Sequence, residues 1–507
     1  MKYPWRTKPY SHQVAAVKQL LRQKYGGALL MEPRTGKTKT TIDWLSILAL
    51  KGAIDRAVIV CPTRVMGTWL QEFHIHCPLL VDITVWDSDR RKQPPPPVSK
   101  VHDLSVLIVN YEAFATPGKR LKSGRRSKSS GRYKVRAQIR NWVGDGSSAA
   151  CVLDESHKIK NPSGKAANML VTMGPDFARR LILTGTVITK ANRAHDVYMQ
   201  WKFLNPDRFS HLRTLSDFRN HFGRWVQVGG NGVAFPKYLG PRNLEELKST
   251  MAKDAIIVRR EDCFDLPPRE DIVRFVDLKS SRAAYDQMAS DMIARLESGE
   301  VAEASIELVR ILRLAQITSG FVTTEAGKVE RVGMEKAKAL GEELEPLLEA
   351  GQKVVVAARW RPDLDLIEDI ARGFEVPVWS IRGGKKREET DQAIREFRDH
   401  EDAGVIVIQP SSSSLGIDLS TASHMIWYGH TPSWVDFSQA CDRIALSRSS
   451  TTFIHLVARS SVDETLLETL RNDGDVAQLV MSKPKEALMG HSLKVDGGGR
   501  IEMEKKV

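Results

Sequence analysis

The feature that most constrains the fold is a short apolar segment that leads directly into a glycine-containing loop and then a helix. Ala28-Leu29-Leu30 has the composition of a buried strand, and Met31 to Thr38 has the sequence Met-Glu-Pro-Arg-Thr-Gly-Lys-Thr. Thr38 to Leu50 places apolar residues at broadly helical spacing and contains no proline. Loop N–H groups and a helix N-terminus in this order favour a bound phosphate. Lys37 is therefore predicted to reach the β/γ oxygens of a nucleoside triphosphate, and Thr38 to offer a hydroxyl to Mg²⁺.

A second segment supplies the acidic half of such a site. Cys151-Val152-Leu153 runs into Asp154-Glu155-Ser156-His157, which predicts a carboxylate pair at the carboxyl end of a buried strand. Asp154 is predicted to hold the metal, and Glu155 to align or deprotonate the attacking water. A Gly-Lys-Thr tripeptide arises by chance and a strand can simply end in acids, but a strand before the loop and a helix after it favour the phosphate site. Together the two halves predict an ATPase that uses ATP and Mg²⁺.

Length and charge indicate several domains and a polyanionic partner. The chain has 507 residues, which predicts two to four domains. Its net charge is +13 and its pI is near 9.4, a balance typical of proteins that bind nucleic acid. The segment from Pro117 to Arg136 contains nine Lys and Arg residues and no acid, so we predict a flexible loop that contacts a nucleic-acid backbone. The alternative is a solvated loop without a specific role.

Other classes of protein are disfavoured. No apolar run is long enough to cross a bilayer, and the segment Met1 to Arg6 does not resemble a signal peptide. We therefore expect an intracellular protein, cytoplasmic or nucleoid-associated, with no membrane partner. The five cysteines include no Cys-x-x-Cys pair, so neither a structural zinc site nor a disulfide framework is expected.

The remaining pattern predicts an α/β fold with two doubly wound parallel-sheet lobes and a helical insertion between them. Short β-rich runs recur from residue 57 to residue 184 and again from residue 353 to residue 457, separated by helical or polar stretches. The predicted boundaries are 1–190 for the first lobe, 191–352 for a mostly helical segment, 353–481 for the second lobe and 482–507 for a flexible tail. The break Asp265-Leu266-Pro267-Pro268 is the predicted hinge. Because only the first lobe carries a phosphate loop, the second is expected to complete the site with arginines near Gln439 to Arg448.

As a set, the motifs resemble the superfamily 2 helicases and, within them, the Swi/Snf-type DNA-dependent ATPases. The resemblance covers about Lys8 to Val476, and a bacterial or phage source fits the compact form. The segments that carry it, besides the loop and the acidic pair, are Lys8 to Gln13, Val58 to Trp69, Val109 to Glu112, Leu183 to Thr186, Trp201 to Phe209, Ile256 to Arg260, Leu266 to Arg269, Ser414 to Leu419 and Gln439 to Arg443.

The resemblance implies two RecA-like lobes and a role for each matched residue. It implies ATP binding by Gln13, Arg34, Thr35, Gly36, Lys37, Thr38, Lys39, Gly416 and Asp418. It implies catalysis by Lys37, Asp154, Glu155, Arg443 and Arg448, with Thr38 and Asp154 as the metal ligands. Coupling of hydrolysis to movement is expected of His157, Thr184, Gly185 and Thr186. The predicted DNA-binding residues are Thr63, Arg64, Lys119, Arg120, Arg125 and Arg126. Leu446 stands where the family has a second arginine, and Arg448 is its expected substitute.

Three functions remain open at this stage. The leading prediction is a motor that tracks along double-stranded DNA, with mainly phosphate contacts. The second is a helicase that separates strands in repair, recombination or replication, with a replication or repair protein as a partner. The third is an ATP-gated clamp on nucleic acid with little turnover.

Overall fold

The computed structural model describes residues 3–32, 34–99, 101–115, 131–185, 194–212, 214–228, 235–259, 262–263, 269–297, 304–324, 327–413, 417–444, 450–471, 488–489 and 499. The chain divides into two compact units, Met1–Asp265 and Leu266–Val507, called here the first and second units. No helix among the described residues combines the length and the hydropathy that a membrane crossing requires.

The first unit alternates strands and helices. Its helices are α1 (Ser11–Arg22), α2 (Lys37–Leu50), α3 (Met66–His76), α4 (Gly131–Val143), α5 (Lys165–Met173), α6 (Tyr198–Leu204), α7 (Leu215–Phe222) and α8 (Leu244–Ala252). Its strands are β1 (Gly26–Met31), β2 (Arg56–Cys61), β3 (Val81–Val85), β4 (Leu104–Asn110), β5 (Ala149–Asp154), β6 (Arg179–Leu183), β7 (Gly223–Val228), β8 (Phe235–Pro241) and β9 (Ala255–Val258).

The main sheet of the first unit is parallel and has the order β3-β4-β2-β5-β6-β1-β9. Its central strands are almost wholly buried because apolar cores cover both faces. Trp44 and Trp69 lie in one core, and Trp201 lies in the other. Because every strand is parallel, their carboxyl ends share one edge, where ligands bind in open α/β sheets.

The second unit repeats this architecture. Its helices are α9 (Arg282–Glu297), α10 (Ala304–Thr318), α11 (Glu335–Glu349), α12 (Arg361–Arg372), α13 (Arg387–Asp399), α14 (Pro410–Ser413), α15 (Trp434–Cys441) and α16 (Val462–Arg471). Its strands are β10 (Arg269–Val276), β11 (Phe321–Thr323), β12 (Val329–Arg331), β13 (Lys353–Ala357), β14 (Val378–Ile381), β15 (Gly404–Ile408), β16 (His424–Trp427) and β17 (Thr451–Ala458). The parallel sheet has the order β10-β17-β16-β13-β15-β14. The two parallel sheets confirm the predicted fold class.

The division of the chain differs from the boundaries drawn from sequence. Residues 191–352 do not form a unit of their own, because β9 extends the first sheet beside β1 and β10 extends the second sheet beside β17. The chain instead divides at 265/266, within the predicted hinge. Residues 264–268 themselves lie outside the described part of the chain.

Parts of the predicted flexible tail are packed, which corrects that expectation for them. Leu488 is buried, and its carbonyl oxygen accepts a hydrogen bond from the Tyr285 hydroxyl at 2.5 Å. The carbonyl oxygen of Gly499 accepts one from the Val273 amide at 2.9 Å. An apolar leucine and a paired backbone anchor these residues to the second unit.

Candidate nucleotide-binding site

The predicted phosphate loop lies between β1 and α2. Gly36, which precedes α2, has φ 88° and ψ 36°, and Arg34 has φ 66°. Two features of Gly36 disfavour any residue with a side chain. Its backbone is in the left-handed region, and a Cβ at this position would lie 2.0 Å from the Gln13 amide nitrogen. Pro33 lies outside the described residues. The resulting loop delivers the chain directly into the N-terminus of α2.

Lys37 and Thr38 occupy the first two positions of α2. The Lys37 Nζ donates a hydrogen bond to the Met31 carbonyl oxygen at 2.7 Å, so the ammonium spans the loop from the helix start to the end of β1. Thr40 and Thr41 donate their hydroxyls to carbonyl oxygens one turn earlier, but the Thr38 hydroxyl has no protein partner among the described residues. Both side chains lie at the start of the helix that follows the loop.

Lys39 is not placed that way. Its Nζ forms an ion pair with Asp43 at 2.8 Å, one turn further from the loop, and the side chain is buried. The ammonium also lies 5.3 Å from the centre of the Trp5 ring. Two residues of helix rotate a side chain by about 200°, which carries Lys39 onto the face opposite the loop. The prediction that Lys39 binds ATP is therefore corrected to a structural ion pair.

The start of α1 holds the loop from the other side. The Gln13 amide donates to the Thr35 carbonyl oxygen at 3.3 Å and accepts from the Tyr10 amide at 3.0 Å. The His12 Nε2 lies 2.8 Å from the same Thr35 oxygen. Sequence reasoning missed His12, although its position beside Gln13 in one helical turn was a signal. Gln13 therefore positions the loop.

Asp154 is a half-buried residue at the end of β5. Its carboxylate accepts hydrogen bonds from the Trp69 indole at 2.9 Å and from the Glu155 amide at 3.0 Å, and its carbonyl oxygen accepts one from the Tyr111 hydroxyl at 2.7 Å. Burial and the neighbouring charge of Glu155 raise the pKa of Asp154 to about 6, although Trp69 and Lys37 oppose the shift. A carboxyl that ionises this reluctantly is poised for a cation.

Glu155 and the coupling residues form a short chain beside it. Glu155 has φ 52° and ψ 53°, which is an uncommon backbone conformation for a residue other than glycine. Such conformations cluster at functional sites. The His157 Nδ1 lies 3.2 Å from the Glu155 carboxylate and 3.4 Å from the Thr184 hydroxyl. The structure thus brings these three residues together, with Gly185 next in the chain. Thr186 lies outside the described residues.

A further contact secures this chain from behind. The Ser156 hydroxyl donates to the Gln200 side chain at 2.7 Å, and the Gln200 amide donates to the Asp196 carbonyl oxygen at 3.0 Å. Both Ser156 and Gln200 are buried. Sequence analysis did not identify Gln200, because only the packing of α6 against the acidic turn reveals it.

The predicted nucleic-acid residues at the end of β2 join the same edge. Thr63 donates to the Glu112 carboxylate at 3.1 Å and accepts from the Asn110 amide at 2.8 Å. Arg91 also donates to Asn110, and Arg64 is exposed next to Thr63. The predicted DNA-binding residues Lys119, Arg120, Arg125 and Arg126 lie outside the described part of the chain.

In the second unit, the predicted fifth and sixth motifs are neighbours. The Arg443 guanidinium donates to the Ile417 carbonyl oxygen at 3.4 Å, and the Arg443 carbonyl oxygen accepts from the Leu419 amide at 3.1 Å. Asp418 accepts from the Ser420 amide at 3.0 Å. Gly416 and Arg448 lie outside the described residues. The described residues contain no group of three or more His, Cys, Asp or Glu side chains that could hold a metal ion by itself.

Comparison with known protein families covers most of the chain. A model of the SNF2-related domain matches residues 11–319, and a model of the helicase conserved C-terminal domain matches residues 335–446. The chain is 24% identical to the protein CHROMATIN REMODELING 4 of Arabidopsis thaliana, over 94% of this chain and 21% of that protein. It is 22% identical to the ISWI chromatin-remodeling complex ATPase ISW1 of Saccharomyces cerevisiae, over 96% of this chain and 42% of that protein.

Further similarities are of the same order. The DNA excision repair protein CSB of Oryza sativa is 23% identical over 87% of this chain and 38% of its own length. The chain thus spans less than half of each of these three relatives. A solved structure, the Sulfolobus solfataricus SWI2/SNF2 ATPase core in complex with dsDNA, is 20% identical, with 97% of this chain and 99% of that chain covered and a TM-score of 0.40.

Proposed function

Because this chain belongs to the SNF2-related family, we propose that it is an ATPase that couples hydrolysis to movement along double-stranded DNA. One observation of the first unit carries the proposal. Lys37 at the start of α2, the Asp154-Glu155 pair and the His157–Thr184 contact all lie at the carboxyl edge of one parallel sheet. The residues proposed to bind phosphate, to activate water and to link the site to β6 therefore lie at the same edge of the sheet.

The residues at this edge fit ATP and Mg²⁺. The loop is kept open by Gly36, where any Cβ would meet Gln13, and the helix N-terminus behind it favours phosphate. Asp154 supplies a hard oxygen ligand of the kind that Mg²⁺ prefers, and Thr38 supplies a hydroxyl at the start of α2. When bound, Mg²⁺ would supply positive charge next to the β and γ oxygens. Asp154 and Thr38 are the residues that would hold it.

The roles of the protein groups follow from their contacts. Lys37 neutralises phosphate charge once its ammonium leaves the Met31 carbonyl oxygen. Glu155 orients and deprotonates the attacking water, and His157 transmits the state of Glu155 to Thr184. Trp69 and Tyr111 hold Asp154 in place from opposite ends of the residue. Arg443 of the second unit is proposed to stabilise the γ-phosphate during transfer, as an arginine finger does.

Double-stranded DNA is proposed as the partner on charge and family grounds. A net charge of +13 suits a phosphate backbone, which dominates the affinity of such proteins. Two of the relatives are named as a chromatin-remodeling complex ATPase and as a DNA excision repair protein, and these names point to chromatin and to DNA. A motor of this kind would work in the cytoplasm or on the nucleoid, with a replication or repair protein as a further partner.

ATP turnover across a panel of nucleic acids tests the proposal. The parent chain is assayed at one stated salt concentration without nucleic acid and with duplex DNA, single-stranded DNA or RNA. We expect the largest stimulation from duplex DNA. Lys37→Ala should lower the rate at least about 10²-fold, because a charged group at the transferring phosphate is lost. The matched control is Lys51→Ala, which removes an exposed lysine after the other end of α2. Stimulation by RNA alone, or parental turnover in Lys37→Ala, would contradict the proposal.

A further inference from the structure

A small β-hairpin stands apart from the main sheet of the first unit. Strands β7 and β8 pair with each other in antiparallel fashion and with no other described strand. A lone two-stranded hairpin is at best marginally stable in water. The hairpin therefore needs to pack against the rest of the unit on one face. Its other face is then available to bind a partner.

The packed face is aromatic. Trp225 and Tyr238 lie opposite each other with ring centres 4.9 Å apart, and His195 lies 5.6 Å and 5.4 Å from them. The Arg219 guanidinium lies 4.0 Å from the centre of the Trp225 ring, and the Trp225 indole donates to the Arg219 carbonyl oxygen at 2.9 Å. These contacts fix the hairpin to α7 and to the segment that follows the Thr184-Gly185 motif in the chain.

The opposite face is exposed and irregular. Arg224 pairs with Gly240 but Trp225 pairs with Tyr238, so Leu239 is an extra residue that makes a bulge. Gly240 has φ 151°. Bulges of this kind redirect side chains and increase twist. Here Val226 and Leu239 remain 39% and 45% exposed, and Arg224 is exposed beside them.

The charge of this region has one sign. From Phe218 to Leu244 the chain carries Arg219, Arg224, Lys237 and Arg242 and no acidic residue. The described residues provide no acidic partner for the three arginines. The acids that follow, at the start of α8, are engaged elsewhere: Glu245 pairs with Lys248, and Glu246 lies 2.8 Å from the His221 ring. A cationic surface without internal partners suits a polyanion.

We propose that this outer face, made by Arg224, Val226 and Leu239 with Arg242 at the base of the hairpin, is a second contact with the backbone of duplex DNA. The inference rests on the proposed function and extends it to a surface outside the catalytic edge. A two-stranded ribbon is narrow enough to enter the major groove. Arginines would contact phosphates, and the two aliphatic side chains would lie against sugars. The contact would be independent of sequence, because phosphates carry no base information.

The salt dependence of DNA affinity tests this surface. The full chain and Arg224→Ala/Arg242→Ala are titrated with a labelled mixed-sequence duplex at several salt concentrations. Each lost phosphate contact lowers the slope of log affinity against log salt by about 0.9, so we expect a decrease of up to about 2 and roughly tenfold weaker binding at 0.1 M salt. The double variant Arg224→Lys/Arg242→Lys should keep the parental slope, because lysine preserves the charge. Lys18→Ala/Arg22→Ala removes two exposed cations from α1 and is the matched control.

The outcomes separate this inference from the proposed function. A parental slope in the alanine variant, or a lost slope in the lysine variant, overturns the hairpin contact. A loss that appears with single-stranded DNA and not with the duplex overturns the assignment to duplex. ATP turnover without DNA should equal that of the parent in every variant. A parent chain that neither binds duplex DNA nor is stimulated by it would instead refute the proposed function itself.

Discussion

The two parallel sheets share one strand order but use their carboxyl edges differently. Counted from one end, the first sheet runs β3-β4-β2-β5-β6-β1 and the second runs β14-β15-β13-β16-β17-β10. The chain visits corresponding positions in the same sequence, and β9 is an addition to the first sheet. Under this correspondence β10 matches β1 and β16 matches β5. The two sheets therefore have carboxyl edges with the same arrangement of strands.

The side chains at the two edges have different partners. In the first unit, β1 leads to Lys37 and β5 ends at the Asp154-Glu155 pair. In the second unit, the segment after β16 carries His430, whose Nε2 lies 2.9 Å from the Nδ1 of His455. The His455 Nε2 in turn lies 3.1 Å from the Asp271 carboxylate on β10. These groups bind one another in a chain that runs from the carboxyl end of β16 through His455, within β17, to Asp271, near the start of β10.

The pKa values follow this contrast. Burial alone would raise the pKa of Asp271, but hydrogen bonds from His455 and Arg269 hold it well below its usual range. Burial and the neighbouring His455 lower the pKa of His430 well below its usual value, so the pair stays neutral. Asp154 instead has a pKa raised to about 6. The polar network of the second unit thus satisfies its charges internally, whereas Asp154, at the carboxyl edge of the first sheet, is the proposed ligand of a cation.

The strongest test replaces one residue that follows β5 in the first unit and one that follows β16 in the second. Glu155→Gln should lower the rate of ATP hydrolysis about 10³-fold or more, because the amide cannot accept the proton of the attacking water. His430→Gln should leave the rate within about threefold, since the contacts of this buried side chain among the described residues are with His455 and neighbouring core aromatic rings. Its effect should appear in thermal unfolding. The measurements are steady-state turnover and the midpoint of unfolding.

A reversed pattern would break the comparison. If His430→Gln abolished hydrolysis while the unfolding midpoint stayed at the parental value, the second edge would have a chemical role. If Glu155→Gln hydrolysed ATP at the parental rate, the first edge would not be the catalytic one.

The strands of both sheets were largely predictable because buried parallel strands are apolar runs that stand out from their surroundings. The exceptions are instructive. Strand β10 begins Arg-Glu-Asp and lies at a sheet edge, so its charges conceal it. Strand β9 has four residues and is separated from its partner β1 by more than 200 residues of chain. Pairing over such a distance leaves no local signal.

The positions of the candidate site residues were predictable where they lie in sequence-local motifs. Asp154 ends β5 and Glu155 follows it, while Lys37 begins α2 after the loop that follows β1, so the ends of strands and the start of a helix locate them. Trp69 was assigned to the core, and the structure shows it both buried and bound to Asp154, a residue distant in the chain. Lys39 was assigned to the ATP site because it follows the loop motif in sequence. The rotation of α2 instead turns its side chain away from the loop and towards Asp43. Tertiary contacts decide both cases.

The phosphate loop provides the next test, with a control in the same helix. Gly36→Ala adds a Cβ that would lie 2.0 Å from the Gln13 amide, in a backbone conformation that disfavours it. We expect ATP affinity to fall about tenfold to a hundredfold, from roughly 1–3 kcal/mol of strain. Gly52→Ala has a similar positive φ after α2 but no atom within 4 Å of the added Cβ. It should cost about 1 kcal/mol of stability and no ATP affinity.

A third variant separates the two causes at Gly36. Gln13→Ala removes the side chain that the new Cβ would meet, so Gly36→Ala should cost less affinity in that background than alone. Additive losses in Gln13→Ala/Gly36→Ala, measured by nucleotide titration, would show that backbone strain rather than the Gln13 contact sets the effect. Equal ATP affinity for Gly36→Ala and the parent would refute the loop assignment.

The smallest effect concerns the pH dependence of stability. It compares one carboxyl of raised pKa from each unit, the buried Asp363 and the half-buried Asp154. Burial raises the pKa of Asp363, in the first turn of α12, from 3.8 to about 7, and Ser319 and Lys336 only partly oppose it. A carboxyl whose pKa is higher in the folded state keeps its proton there longer. The free energy of unfolding therefore falls as pH rises, between about 4 and 7 for Asp363 and between about 4 and 6 for Asp154.

Asp363→Asn should remove this penalty and raise the free energy of unfolding at pH 8 by on the order of 1–2 kcal/mol, with ATP turnover unchanged. Asp154→Asn should flatten the profile only below pH 6. It should also slow hydrolysis, because an amide is a weaker ligand for Mg²⁺ than the carboxylate proposed to hold it. Denaturant unfolding at pH 5, 6.5 and 8 measures both. An Asp363→Asn protein that is less stable than the parent at pH 8 would mean that the charge of Asp363 is paired in solution. The charge of Asp363 would then have a partner, as the charge of Asp271 has in the histidine network. The contrast between the second unit and Asp154 of the first unit would become sharper.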